Sequence, residues 1–218
     1  MPIAFPLLGI LTAYLIGSLP TAYLMGRVKG IDIRRAGSGN VGATNALRVL
    51  GKPWGFGCLL VDLLKGYLPA AFLLPAAWFA PAWPDRLWPW VVGLAAVAGH
   101  TCSPWLGFKG GKGVATSLGM LLAVIPLAML ILLPIALGII AATGYVSLAA
   151  IVSCVLLPLI LIAIDFRNPP WISVAVTSLL GLFIIWKHRG NIARLRAGTE
   201  SRIFHRSSPH TSESGHAP

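Results

Sequence analysis

The sequence has few charged residues, and acidic residues are the scarcest of all. Only 11% of the 218 residues are charged, with six Asp and Glu against seventeen Lys and Arg, whereas an ordinary globular domain is near 25% charged. Hydrophobic residues make up 56% of the chain, in runs long enough to cross a bilayer. Because these runs are continuous rather than alternating, they exclude a transmembrane barrel. We therefore expect an all-α, polytopic integral membrane protein without a sizeable soluble domain.

The sequence also contains no pattern that indicates cysteine-based or metal-based chemistry. Cys58, Cys102 and Cys154 are scattered through apolar sequence, with neither pairing nor metal-ligand spacing, so we expect buried free thiols. No other set of His, Cys or carboxylate residues has the spacing of metal ligands. We therefore expect no metal ion and no cofactor.

The net charge of +11 could suggest a nucleic-acid partner, but its distribution indicates a membrane. Nearly every Lys and Arg lies in a short segment beside an apolar run, which is the positive-inside pattern. The first cations, Arg27 and Lys29, follow the first apolar run. The N-terminus is therefore predicted to face outside, and no cleavable signal is predicted. The expected partners are anionic lipid headgroups and anionic substrates, not nucleic acid.

Seven membrane spans, some of them short, are predicted, with the N-terminus outside and the C-terminus inside. Residues 113–164 carry no charge and lie between two inner basic segments. The two inner segments must be joined by an even number of crossings, and one span is expected at 171–186, so residues 113–164 alone must supply an odd number. Three short helices are expected there, with breaks near Pro126 and Thr143–Gly144; five spans with re-entrant pieces is the alternative. The other predicted spans are 3–25, 54–78 and 90–105, with outer turns at 79–89 and 165–170.

The chain is expected to form one membrane domain. Residues 1–206 contain all the predicted spans and all the glycine-rich and cationic segments, so we interpret them as a single transmembrane catalytic domain. Residues 207–218 are polar and are predicted to be disordered. The oligomeric state is not predicted from the sequence.

Three cation-rich segments are predicted on the inner face, and their composition indicates anion binding. Residues 34–48 read RRAGSGNVGATNALR, residues 100–117 include GFKGGKG at 107–113, and residues 187–202 begin KHRGNIARLR. Glycines let backbone N–H groups turn toward an anion, and a helix beginning near Val114 would direct its positive dipole end to the same place. Topology alone needs cations but not this density of Gly, Asn, Ser and Thr. We therefore predict one phosphate-binding site built from all three segments.

Two familiar phosphate motifs are rejected. Residues 37–42, GSGNVG, match the dinucleotide pattern G-x-G-x-x-G, but predicted membrane helices flank them instead of a βαβ unit. In a P-loop the first glycine would fall on Leu106, and Gly113 stands where Ser or Thr is required.

Carboxylates within reach of a cation are interpreted as structural. Asp62 and Lys65 are three residues apart in the second predicted span, so they lie on one helical face and are expected to pair. A role in supporting the 34–48 loop is equally open for this pair. Glu200 is the one acid in the tail before residue 207 and is expected to pair with a nearby Arg.

A dedicated catalytic base is not evident. No G-x-S-x-G elbow is present. The His-x4-Asp pair of many acyl-transferring enzymes is missing, because Trp105 and Ala193 stand five residues after His100 and His188. The chemistry is therefore expected to use an activated donor, or a substrate phosphate that takes the proton itself.

Five segments, in this order and spacing, resemble one family. GSLPTAYL, AGSGNVGATNALR, VDLLKG, GHTCSPWLGFKGGKGVAT and HRGNIARLRAGTE are similar to segments of the bacterial inner-membrane acyl-phosphate:glycerol-3-phosphate acyltransferases. The resemblance implies a helical multi-pass protein of the bacterial inner (cytoplasmic) membrane with its active site facing the cytoplasm. It implies transfer of a fatty acyl group from acyl phosphate to the 1-hydroxyl of glycerol 3-phosphate, giving lysophosphatidic acid and phosphate for phospholipid synthesis.

The resemblance also implies roles for individual residues. The catalytic residues would be Ser38, His188 and Asn191. Structural support would come from Asp62, Lys65, His100 and Glu200. The substrate-binding residues would be Arg48, Asn40, Thr44, Asn45, Lys109, Gly110, Gly111, Lys112 and Gly113.

A membrane transporter for phosphate or glycerol phosphate is the alternative function. It would also use glycines, cations and many helices. However, transporters place polar groups near the bilayer midplane on broken helices, whereas here the polar segments lie on one predicted face.

Overall fold

The computed structural model describes residues 4–72 and 87–203 of the chain. Within those two ranges the regular structure is entirely helical, which confirms the predicted all-α class. The predicted disordered tail at 207–218 and most of the predicted outer turn at 79–89 lie outside the described residues. The helices are α1 (Ala4–Ser18), α2 (Thr21–Val28), α3 (Ala43–Leu50), α4 (Lys52–Phe72), α5 (Trp88–Thr101), α6 (Val114–Val124), α7 (Pro126–Thr143), α8 (Val146–Ile164), α9 (Trp171–Lys187) and α10 (Arg189–Arg196), with 3₁₀ turns at Ile33–Arg35 and Pro104–Leu106.

The predicted breaks in the uncharged stretch are confirmed. Proline begins α7 at Pro126, immediately after Ile125 leaves helical geometry, and Gly144 ends α7 in the left-handed conformation with φ +75°. These are the ordinary positions of proline at a helix start and glycine just past a helix end. Three helices therefore occupy residues 114–164, as predicted, and a short connection at 165–170 leads to α9.

Four helical segments of the described residues are long and apolar enough to cross a membrane, namely Pro6–Val28, Lys52–Phe72, Pro126–Thr143 and Val146–Ile164. The pair α9 and α10, bent by 60° at His188, would be a fifth span. Helix α6 has 11 residues, a length of about 17 Å at 1.5 Å per residue, which is well short of a hydrocarbon core of about 30 Å. The count of seven and the N-out, C-in orientation stay predictions.

Glycine permits the close packing of the central helices. Helix α4 packs on α6, where a Cβ added at Gly66 would overlap the Thr116 carbonyl oxygen and one at Gly119 would overlap that of Leu63. Close approach through small residues is a common way for membrane helices to associate, because lipid provides no hydrophobic drive between them. This packing places Thr116, in the first turn of α6 just after the glycine-rich loop (107–113), against Gly66 of α4.

A buried charged cluster lies beside that loop. Lys65 Nζ is 2.8 Å from Asp62 Oδ1, and both side chains are almost fully buried. The same ammonium group donates a hydrogen bond of 2.8 Å to the Leu19 carbonyl, at the point where α1 ends. His100 Nδ1 lies 3.9 Å from Asp62 Oδ1. Asp62 and Lys65 therefore form the expected pair, and this pair ties α4 to the break between α1 and α2.

The expectation of buried thiols is only partly correct. All three cysteines are free, and Cys58 is buried in α4 while Cys154 is half-buried in α8. The expectation is wrong for Cys102, which is exposed. The reason is its place immediately past the last residue of α5, where the chain has already left the packed helix for the loop.

Candidate active site

The first cation-rich segment is a loop held together by one buried amide. Asn45, in the first turn of α3, accepts a hydrogen bond of 2.9 Å from the Ser38 backbone N–H. Its Nδ2 donates to the backbone carbonyls of Ile33 and Ala36, at 3.3 and 3.0 Å. Because Asn45 is 1% exposed, these bonds are shielded from water. The amide is fully used inside the loop, and its effect is to fix the position of Ser38.

The loop turns so tightly around this amide that glycine is required beside it. Gly37 has φ +59°, and a Cβ there would overlap Asn45 Oδ1. Ser38 follows and is exposed, and its hydroxyl oxygen accepts a bond of 3.5 Å from the Asn40 N–H. At the start of the loop, Asp32 accepts three hydrogen bonds from Arg34, including 2.9 Å from Nε and 2.8 Å from Nη2. These side-chain hydrogen bonds lower the pKa of Asp32 to about 2.

The second segment packs on His100, and its glycines are needed for that contact. The Gly111 N–H donates to the His100 carbonyl at 3.0 Å, and the Gly110 N–H donates to the Thr101 carbonyl at 3.2 Å. A Cβ on Gly111 would overlap Nε2 of the His100 ring. From the sequence, these two N–H groups were predicted to face an anion, but in the structure both donate to backbone carbonyls of the protein. The loop directs one cation toward the third segment: Lys112 Nζ donates to Asn191 Oδ1.

The third segment begins where α9 gives way to α10. His188 lies between the two helices and is 4% exposed, and its Nδ1 is 2.8 Å from the Ile184 carbonyl oxygen. Because a carbonyl can only accept, Nδ1 carries the proton, which leaves Nε2 as the acceptor in the neutral ring. One turn later Asn191 Nδ2 donates to Glu200 Oε1 at 2.5 Å. Arg194 Nε donates to Glu200 Oε2 at 2.7 Å, which is the expected Arg partner of this acid.

The three segments meet at one pocket. Its volume is about 380 Å³, and the first loop, the glycine-rich loop and the tail all contribute to its wall. The lining residues are Ser38, Gly39, Asn40, Lys112, Lys187, Arg189, Gly190, Asn191 and Arg194. Four of these nine are cationic and none is acidic, so within the described part of the chain this wall is suited to anionic groups.

The predicted residues divide into those that line the pocket and those that do not. Ser38, Asn40, Lys112 and Asn191 line it. Arg48 is not in the lining, but its charge lies close enough to lower the pKa of Lys112. His188, Glu200 and the loop-holding Asn45 lie behind the lining. The other predicted substrate-binding residues are also outside the lining, namely Thr44, Lys109, Gly110, Gly111 and Gly113.

Five of the nine lining residues were not singled out as site residues from the sequence, namely Gly39, Lys187, Arg189, Gly190 and Arg194. Four of them lie in the basic tail segment 187–202, which the sequence assigned to the site as a whole, and Gly39 lies in the 34–48 loop. Lys187 and Arg189 also lie against the aromatic ring of Trp186, at 5.9 and 4.7 Å from its centroid. Their alternation with His188 around a helix boundary is the signal that could have found them.

Two groups at the site have displaced pKa values. Burial lowers the pKa of Lys112 to about 8; the charge of Glu200 opposes that shift, and the charges of Arg194 and Arg48 add to it. For Glu200, burial acts to raise the pKa, but hydrogen bonds from Asn191, Ser147 and Arg194 hold it below its ordinary value. Glu200 is therefore a carboxylate at neutral pH, and Lys112 is an ammonium group that is easily discharged.

Comparisons with known proteins agree on one family. The family model described as glycerol-3-phosphate acyltransferase matches residues 7–198. The chain is 46% identical over 191 residues to the glycerol-3-phosphate acyltransferase of Geobacter sulfurreducens, covering 88% of this chain and 94% of that one. It is 47% identical over 193 residues to that of Trichlorobacter lovleyi, with the same coverage.

Two solved structures have the same fold. They are crystal structures of PlsY, an integral membrane glycerol 3-phosphate acyltransferase, in a glycerol 3-phosphate form and a lysophosphatidic acid form. The first is 39% identical with a TM-score of 0.78, and the second is 38% identical with a TM-score of 0.76. Each comparison covers 90% of this chain and 94% of the other.

Proposed function

The chain belongs to the glycerol-3-phosphate acyltransferase family and is an integral membrane acyltransferase, and on that premise we propose its donor, product and orientation. The donor is acyl phosphate, the acceptor is the 1-hydroxyl of glycerol 3-phosphate, and the products are lysophosphatidic acid and inorganic phosphate. We further propose that the protein lies in the bacterial inner membrane with the pocket facing the cytoplasm.

One observation carries the proposal. Cations from two separate segments, Lys112 from the glycine-rich loop and Lys187, Arg189 and Arg194 from the tail, line a single pocket beside Ser38. Two phosphate-bearing substrates repel each other, and a wall of this charge offsets that repulsion while it holds both. Holding them together also supplies proximity, for which effective molarities reach roughly 10⁵–10⁸ M.

The reaction then needs little from a side-chain base. The 1-hydroxyl oxygen of glycerol 3-phosphate attacks the acyl carbonyl carbon, and the C–O bond to phosphate breaks, so that phosphate leaves with the electron pair. The hydroxyl proton passes to a phosphate oxygen of glycerol 3-phosphate. The Ser38 hydroxyl steadies the developing oxyanion as a donor. Asn191 and His188 orient the acceptor, and Asn191 does so while its own amide is held by Glu200.

The proposed residues differ in how they act. Lys112 and Asn191 contact each other in the pocket wall and are proposed to bind the acceptor phosphate, with Arg48 adding charge from nearby. Asn45 is proposed to act through Ser38, whose backbone it holds. Gly110 and Gly111 are proposed to act through the packing of the loop on His100.

The direct test uses purified protein in lipid nanodiscs. Acyl phosphate and acyl-CoA are supplied separately with glycerol 3-phosphate, and the product is read by mass spectrometry. We expect lysophosphatidic acid from acyl phosphate alone. Product from acyl-CoA at an equal rate would contradict the proposed donor. Counterflow of labelled glycerol phosphate in proteoliposomes without acyl transfer would favour the transporter.

A matched pair of variants tests the assigned site. His188→Ala is expected to lower kcat by at least about 100-fold, the scale on which a positioned acid–base or orienting group contributes. Arg196→Ala changes an exposed residue outside the pocket lining, on the short helix that follows His188, and is expected to be near wild type. Near-normal turnover by His188→Ala, with folding checked by size-exclusion chromatography, would contradict the assigned active site.

A further inference from the structure

The tail beyond α10 returns along the membrane domain and docks on the turn between α7 and α8. The Ile203 N–H donates to the Gly144 carbonyl at 2.8 Å. Arg202 Nε donates to the Tyr145 hydroxyl at 3.2 Å, and its guanidinium carbon lies 5.1 Å from the centre of the Tyr145 ring. A Cβ on Gly144 would come within 3.0 Å of the Arg202 side chain. The turn therefore offers both a glycine-sized space and an aromatic partner to the tail.

Just before these contacts, the tail places Glu200 beside the pocket residues Asn191 and Arg194. Oε1 of Glu200 accepts from the Ser147 hydroxyl at 2.8 Å as well as from Asn191 Nδ2. Oε2 accepts from Arg194. The Glu200 side chain is 7% exposed, so the protein supplies donors that water would otherwise provide. Ser147 comes from the first turn of the apolar helix α8 and is itself 7% exposed.

This arrangement decides which way the Asn191 amide points. A carboxylate can only accept hydrogen bonds and an ammonium group can only donate them. Nδ2 of Asn191 must therefore face Glu200, and Oδ1 must face Lys112, and this is the orientation in the structure. If Glu200 moved or rotated, this constraint on the amide would be lost, and so would the fixed position of the Lys112 ammonium group in the pocket wall.

We propose that Ser147 and the Tyr145–Arg202 contact are positioning elements of the acceptor site: they hold the tail so that Glu200 orients Asn191 and, through it, Lys112. The inference rests on the proposed function only in naming glycerol 3-phosphate as the ligand at Lys112. Ser147, Tyr145 and Arg202 touch no substrate. They act on the reaction through Glu200, and they affect binding of the acceptor rather than binding of the acyl donor.

Steady-state kinetics of Ser147→Ala test the proposal. Loss of one hydrogen bond to a charged group corresponds to roughly a tenfold effect. We therefore expect the KM for glycerol 3-phosphate to rise about tenfold, with the KM for acyl phosphate unchanged. Ser147→Thr keeps the hydroxyl and is expected to restore most of the loss. Ser153→Ala, on the same helix and without a side-chain hydrogen bond to any described residue, is the control and is expected to match wild type.

A second variant separates positioning from folding. Tyr145→Phe keeps the ring beside Arg202 and removes only the hydroxyl that accepts its hydrogen bond. It is expected to raise the same KM several-fold while thermal unfolding stays near wild type. An unchanged KM for glycerol 3-phosphate in both Ser147→Ala and Tyr145→Phe would overturn the proposal. So would equal rises in the KM of both substrates. Failure of the wild type to use acyl phosphate would instead overturn the proposed donor.

Discussion

Lys112 gives the sharpest test of the acceptor site, because its charge is lost within the pH range in which a membrane acyltransferase can be assayed. Burial lowers the pKa of this ammonium group from 10.5 to about 8, with Arg194 and Arg48 acting in the same direction and Glu200 against it. The protonated form carries the charge, so the charge is present below the pKa and disappears as the pH rises through it. Binding of an anionic acceptor is therefore expected to weaken above about pH 8.

The size of the effect follows from the titration. About 90% of Lys112 is charged one unit below its pKa, and about 10% is charged one unit above it. The value of kcat/KM for glycerol 3-phosphate, which reports groups of the free enzyme, is then expected to fall about tenfold per unit above the bend. The value for acyl phosphate is expected to change less if other cations hold the donor. Initial rates between pH 6 and 10, with donor stability checked at each pH, give both profiles.

Two variants identify the residue responsible for the bend. Lys112→Arg keeps a cation that stays protonated throughout the assayed pH range, so the fall near pH 8 is expected to vanish even if the plateau is lower. Glu200→Gln removes the negative charge that raises the pKa of Lys112, so the bend is expected to move to lower pH. An unchanged bend in both variants would show that Lys112 does not carry the charge that binds the acceptor.

Three further changes probe the loop, the buried pair and the pocket wall. Gly111→Ala is expected to abolish most activity, because the new methyl group would overlap the imidazole on which the loop packs; Gly138→Ala, in open space on a helix, is the control and is expected to keep full activity. Asp62→Asn removes the counter-charge of the buried Lys65 ammonium group and is expected to lower the free energy of unfolding by about 3–5 kcal/mol, read as a drop in Tm in detergent with an unchanged KM. Lys187 lines the pocket and is not assigned to the acceptor, so we propose that it holds the donor phosphate. Lys187→Ala is then expected to raise the KM for acyl phosphate about tenfold, whereas Arg196→Ala is expected to leave it unchanged. Equal values for these two variants would remove Lys187 from the donor site.

Helix boundaries in the apolar stretch could be predicted because single residues determine them. Pro126 lacks the N–H that an interior helical position would use, and Gly144 adopts a positive φ at no steric cost. Both effects are local and belong to one residue each. The number of spans is different, because α6 is shorter than a bilayer and its depth depends on the helices around it. Length and composition alone therefore leave the seven-span and five-span alternatives open.

The site could be predicted at the level of segments but not of atoms. Glycines and cations in residues 34–48, 100–117 and 187–202 indicated one anion-binding site, and the pocket is lined by residues of all three segments. The same residue types nevertheless act in different ways. Gly110 and Gly111 serve packing against His100 and use their N–H groups inside the protein. A glycine-rich sequence reports that the backbone must pass close to something, but not whether that neighbour is a ligand or a side chain.

Ser147 is the clearest case of a residue whose role could not be predicted from the sequence, since nothing in its sequence surroundings distinguishes it. Hydroxyl residues in membrane helices usually donate to a carbonyl of the preceding turn, as Thr177 does to Ser173 at 2.7 Å and Thr143 does to Ile139 at 2.6 Å. Ser147 instead donates to an acid 53 residues away in sequence. What decides between the two outcomes is the rare charged residue, because a buried carboxylate must find donors wherever the fold places it. Here the path of Glu200 through the fold therefore identifies α8 as an apolar helix that contributes a hydrogen bond at the candidate site.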